Sequence, residues 1–282
     1  MQCLNYADMT PEADWRCTQF TNTTYYRVPG TTPSPWATHV RGFHILTCFE
    51  DIMHNCHIGI ARDVNASVLA EINEAGADTD QNLRNESVKF AIFRKKHGIR
   101  VRNIRFSKKL ITRPDDHTYP MISSFVKAAH MKIMIIYLAS RLHDMNPTTE
   151  YEKLRATMMW GLATFVHILD TSPMWLSIEQ ANEACYAGRA FCMSYQKLAV
   201  INEDLRICLY KIRPKNHFFD HQVDDLERNR LNPNRVNCMQ SEDFIGRNAR
   251  LASKTHRWTV SLRTLERYMI TLRMRWKSYW KP

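Results

Sequence analysis

The sequence predicts a mainly α-helical protein with at most a few short strands. Three observations carry that expectation. Apolar residues recur at three- and four-residue spacing through most of the chain beyond Leu83. A Ser177-x-x-Gln180 capping box opens the longest of these patterns. Residues that suit a strand gather in only one short run, Val40 to Glu50.

Taken in order, residues 1–40 have little periodicity and are punctuated by Pro29-Gly30, Pro33 and Pro35, which reads as an irregular, extended lead-in. The strand-like run then leads into Asp51 and a helical stretch to Asn73, and residues 74–82 form a loop. Leu83 to Lys96 has helical spacing and stops at His97-Gly98, and Arg113-Pro114 begins a turn. Long helices are expected over Met121 to Met145, Thr149 to Asp170 and Ser177 to about Leu209. Met131, Met134, Met158 and Met159 fall on their apolar stripes and read as packing. Lys211 to His221 breaks the pattern with a proline, Leu231 to Met239 is extended or looped, and helices over Glu242 to His256 and Trp258 to Trp280 close the chain.

Composition removes several classes. With 282 residues, 44% hydrophobic, 8 Gly and 11 Pro, the chain is neither disordered nor fibrous. Its longest apolar stretch, Ile133 to Ala139, is far short of the ~20 residues of a bilayer span, and no signal or transit segment is readable. No membrane association and a reducing compartment are therefore expected. The 8 cysteines include no CxxC pair and read as small buried hydrophobes, which leaves the sequons at Asn22, Asn65 and Asn85 as chance matches. No phosphate loop or nucleophile elbow is present, and no small-molecule cofactor is implied.

Charge is the positive signal. The net charge is +11, and residues 247–282 alone hold ten cations against Glu266. A second block, Lys89 to Arg113, has ten cations and no acid. Such blocks attract polyanions through counterion release, and Trp258, Tyr268 and Trp276 could stack on bases. Arg94, Lys95, Lys96, Lys108 and Lys109, with Arg247, Arg250, Lys254, Arg263, Arg267, Arg273 and Arg275, are the candidate phosphate contacts; the plain alternative is a solvated helix face.

Three short motifs could carry chemistry. Asp51 and His54 are a carboxylate and an imidazole on one helical face, Lys215-Asn216-His217 leads to His221, and Ser241-Glu242-Asp243 opens a helix with Gly246 allowing close backbone approach. Structurally, Asp51 and Glu242 could equally be helix-end acids. Cys48, His54, Cys56 and His57 do not have the spacing of a common zinc finger, and His217 with His221 lacks a third ligand at fixed spacing.

The Asp-x-x-His motif, the helical stretch after it, the Lys-x-His segment and the Glu-Asp-Phe-x-Gly-Arg helix resemble the C-terminal half of the catalytic domain of DDE-type, CACTA-like eukaryotic transposases. Residues 51–69 and 241–251 are the most similar, and the resemblance runs from about Trp15 to Trp276. It implies a long helical insertion attached to the C-terminal remnant of an RNase H-like α/β domain. The segments would be an irregular lead-in (1–40), a strand-helix remnant (41–73), the insertion (74–210) and a last-Glu helix with a basic helix (211–282), in one compact domain. Glu242 would be the catalytic metal ligand for Mg²⁺ or Mn²⁺, with Asp51 and His54 in the accessory motif and Lys215 and His217 nearby. DNA as partner, a homodimer and nuclear residence follow from the same resemblance. The first two catalytic acids of the family would fall upstream of residue 1, so the chain is expected to be an inactive or domesticated relative. A basic helical nucleic-acid-binding or assembly protein with no active site is the alternative.

Overall fold

A computed structural model of the chain describes residues 7–18, 39–41, 49–74, 78–113, 115 and 117–279; the side chains of 74, 275 and 277–279 are outside that set. The expected lead-in lies largely outside it, as does the strand-like run over 42–48. The chain is 69% helix. Among the described residues there is no sheet, and one antiparallel bridge, Trp175 to Leu231, is the extended pairing. The chain divides into two units, 1–236 and 237–282. The expectation of one compact domain whose last segment starts at 211 differs from this division: the helix that follows Pro214 packs with the core of the first unit.

Among the described residues, the first unit has a 3-10 turn, Asp14–Thr18, and a π-helical turn, Met53–Ile60, that runs into α1 (Ala61–Glu74). Helices α2 (Thr79–Lys96), α3 (Ala128–Asp144), α4 (Glu150–Thr171), α5 (Ile178–Asp204) and α6 (Pro214–Asn229) follow. The Asp78 carboxylate caps α2 by accepting from Gln81 N at 3.0 Å, which starts the helix earlier than its apolar spacing predicts. Capping boxes at Thr149–Glu152 and Ser177–Gln180 fix the starts of α4 and α5. α3 begins at Ala128 and not at Met121, because the N–H groups of residues 121–123 are engaged elsewhere: Met121 N donates to Ile111 O, Ile122 N to Arg62 O on α1 and Ser123 N to Leu110 O. α5 stops at Asp204, where Arg206 takes a left-handed φ of 59° and Ile207 N returns to Asn202 O.

α4 and α5, joined by a short loop, form the main pair. A β-carbon on Gly161 would lie 2.6 Å from Ala187 O, so the two backbones nearly touch. On the next face of α5, a β-carbon on Gly188 would lie 2.5 Å from Val223 on α6. Phe165, Phe191 and Phe219 meet between these helices, with ring centroids 5.0 and 5.4 Å from Phe219. Asn232 seals the end of the pair by donating to Leu169 O and Pro173 O at 2.8 and 3.1 Å. Residues 7–18 pack on this assembly: Trp15 is buried, and Arg16 bridges Asp220 and Asp224 at 2.7 and 2.6 Å.

α6 corrects the expectation of a break over Lys211 to His221. Pro214 occupies the first helical position, where its missing N–H is harmless and its φ is already helical. The helix ends at Arg230, whose φ of 54° is left-handed.

The second unit is a hairpin of α7 (Met239–Ala252) and α8 (Val260–Tyr279), joined through a 3-10 turn at Arg257–Thr259. Phe244 and Tyr268 pack edge to face at 5.5 Å. None of its described side chains is buried, and Leu262, Leu265, Met269 and Trp276 recur along one exposed stripe of α8.

Candidate functional site

Asp51 stands at the entry to the π-helical turn. Its carboxylate accepts from the backbone N–H of His54 at 2.9 Å and meets the His54 ring Nδ1 at 2.8 Å. The first contact is a helix-entry cap, and the second orients the imidazole and assigns its proton to Nδ1, leaving the lone pair on Nε2. Gly59 is required one turn on, since a β-carbon there would lie 2.6 Å from His54 O. Lys215, on α6, reaches that same carbonyl with Nζ at 2.9 Å. Burial, with Arg62 and Arg213 nearby, holds its ammonium below the usual lysine range. Arg213 pairs in turn with buried Asp63 at 2.8 Å, whose carboxyl is pushed up to about 6 by desolvation against the pull of that guanidinium.

His217 and His221, one turn apart on α6, meet through their Nε2 atoms at 2.9 Å, and Trp15 packs edge-on to both at 4.4 Å. One ring must donate and the other accept, so the contact suits two neutral imidazoles. Burial lowers both accordingly, His221 to about 4. Glu242 lies on the second unit, exposed in the first turn of α7. Gly246 is not a site of close approach: a β-carbon there would meet only Arg250 Nη1, at 3.8 Å.

A two-metal phosphodiester site needs at least two carboxylates converging with further ligands. Among the described residues, no cluster of three ligating side chains contains two carboxylates. The donor set therefore does not fit paired Mg²⁺ or Mn²⁺ ions. Cys56 and His57 are both buried, burial pushes the Cys56 thiol up to about 12, and among the described residues neither belongs to a group of three ligating side chains.

His57 has a measurable consequence. Burial, with Lys132 nearby, holds its imidazole at about 4. Between that value and the unfolded value of about 6.5 the unfolded chain binds more protons, so stability falls as pH drops through this window. Going from pH 7 to pH 5, His57 should remove roughly 2 kcal/mol. Asp63 and Asp220, both pushed up to about 6, act in the opposite direction. The check is therefore urea unfolding of wild type and His57→Gln at both pH values, and equal pH dependence in the two proteins would contradict the assignment.

The basic block 89–113 separates into structural and surface members. Arg113 is buried, Lys89 pairs with Glu86 at 3.1 Å, and Arg94 lies over the Phe90 ring at 5.7 Å. Lys95 and Lys96 are exposed in the last turn of α2, where the helix dipole favours cations. Arg102, Arg105, Lys108 and Lys109 are exposed on irregular backbone and have no such local reason. Arg102, Arg105 and Lys109 border two cavities, of about 500 Å³ each, that share Asn103 and Arg105 as lining residues. Arg84 and Lys95 line the first; Arg102, Lys109, Lys127 and His130 line the second; no carboxylate lines either. The nearest acid on α2, Glu86, is buried and bonded to Tyr137 and Arg141. Arg84, Lys127 and His130 were not among the expected contacts, because they come from flanking segments that only the fold brings to the block.

On the second unit, Arg247 pairs with Asp243 and Arg263 with Glu266 at 2.8 Å. Arg267 donates to Lys254 O at 3.0 Å. Arg250, Lys254 and Arg273 are exposed, and Trp258 is 79% exposed with the Arg257 guanidinium 5.1 Å from its ring centroid.

These features define a helical protein with a carboxylate-free cationic groove. No protein-family model matches the chain, no curated protein matches it, and no solved structure matches it. No helix among the described residues is long and apolar enough to cross a membrane.

Proposed function

We propose that this protein binds nucleic acid, with DNA the form favoured by the transposase-like motifs, and that the cationic groove along the 102–109 segment, in the connection from α2 to α3, is its contact surface. The observation that carries the reading is the pair of adjoining cavities, bordered by Arg102, Arg105, Lys109 and Lys127 without one carboxylate. Like charges crowded on irregular backbone repel one another and destabilise the fold unless a polyanion neutralises them. The exposed cations of α7 and α8 supply a second phosphate-binding segment that needs no base contact. The test is binding of a labelled 30-base-pair duplex across a series of salt concentrations. A steep fall of affinity with salt supports the reading, and a flat response defeats it.

A second reading, a relative of the DDE transposases that retains an RNase H-like remnant and resides in the nucleus, is favoured by one observation. The Asp51–His54 pair sits on a π-helical turn, a feature that gathers at functional sites. The donor set described above favours binding without cleavage.

A further inference from the structure

We infer that the second cavity is a binding site for one nucleotide of single-stranded DNA, with Phe125 as the stacking platform for its base; this rests on the nucleic-acid reading above. Phe125 sits in a tight turn, where Val126 N donates to Ser123 O at 3.1 Å, and its side chain is 64% exposed. An aromatic ring left in water forgoes the burial that normally stabilises it. Here it lines a hollow of about 500 Å³ whose walls also carry Arg102, Arg105, Lys109, Lys127 and His130, beside apolar Ile104, Leu110 and Val126. Cations around an exposed ring suit a nucleotide, with phosphate on the rim and base on the ring.

The choice of strand follows from the ring. The face of a base is open to Phe125 only when the base is unstacked, a condition that selects a single strand over a duplex.

The experiment measures fluorescence anisotropy of a labelled 12-nucleotide mixed-sequence DNA strand, its duplex and the same sequence as RNA. Wild type, Phe125→Ala, Phe125→Leu and Phe125→Trp are compared. Because Phe125 is exposed, none of these should disturb the core. The expected result is that Phe125→Ala and Phe125→Leu weaken single-strand binding by about tenfold. Duplex affinity and the salt slope should not move. Phe125→Trp should restore binding, with its fluorescence quenched as the strand is added. Unchanged single-strand affinity in Phe125→Ala, or no quenching in Phe125→Trp, overturns the inference while salt-dependent binding leaves the broader reading standing. Tighter binding of RNA through Phe125 overturns the assignment to DNA. Loss of all nucleic-acid binding in the wild type removes both.

Discussion

Alanine at Arg102, Arg105 and Lys109 together is expected to weaken DNA binding about 100-fold near 0.15 M salt. Each phosphate contact releases about 0.9 counterion from duplex DNA, so three contacts account for roughly 2.2 decades of affinity at that concentration. The slope of log affinity against log salt should become shallower by about 3 on duplex, and by about 2 on a single strand, where each contact releases about 0.7. Lys153→Ala is the matched control, since Lys153 already pairs with Glu150 at 2.9 Å. The triple variant should fold normally: all three side chains are exposed, and removing mutual repulsion costs the folded state nothing. If affinity falls while the slope is unchanged, the three residues act through something other than phosphate, and the groove is not the contact surface.

The groove illustrates what could be read before the fold was known. That Lys89 to Arg113 carries cations and no acid is visible from the residues alone. That Arg113 turns inward, that Lys89 is neutralised by Glu86, and that Phe125, Lys127 and His130 complete the walls are consequences of packing between segments distant in sequence. The capping boxes made the starts of α4 and α5 legible, because Thr149 and Ser177 bond only to residues three positions on. The same local logic misleads at Pro214, where a proline that would end a helix instead begins one. The π-helical turn carries no periodic signature. Gly59 is the residue that permits it, and its need appears only once His54 O and Lys215 are placed around it. Asp51 and His54 do meet, as three-residue spacing allows, whereas Glu242 belongs to a separate unit, a division that composition does not mark.

Glu71→Ala is expected to be the most destabilising single change in the first unit, at about 4 kcal/mol. Glu71, on α1, accepts from the hydroxyls of Tyr151 on α4 and Tyr210 on the loop after α5, and pairs with Arg155 at 3.3 Å. Asn202 on α5 donates to the Tyr151 hydroxyl at 2.8 Å, so one carboxylate ties three helices and a loop. The site is nearly dry: the side chains of Glu71 and Arg155 are 13% and 10% exposed, and burial beside the Glu71 carboxylate pushes both phenols well above the usual tyrosine range. Truncation would leave Arg155 as an uncompensated charge whose Nε already has no hydrogen-bond partner, and would strip the acceptor from two phenols. Glu71→Gln keeps the volume and one acceptor, and should cost about half as much. The double variant Glu71→Met with Arg155→Met discriminates between causes. If the penalty is the orphaned charge, removing both partners should recover most of the loss in urea unfolding, because a buried pair can often be replaced by apolar volume at little cost. If the double variant is as unstable as the sum of the singles, the stabilisation lies in the tyrosine hydroxyls and the packing around them, and the ion pair is incidental.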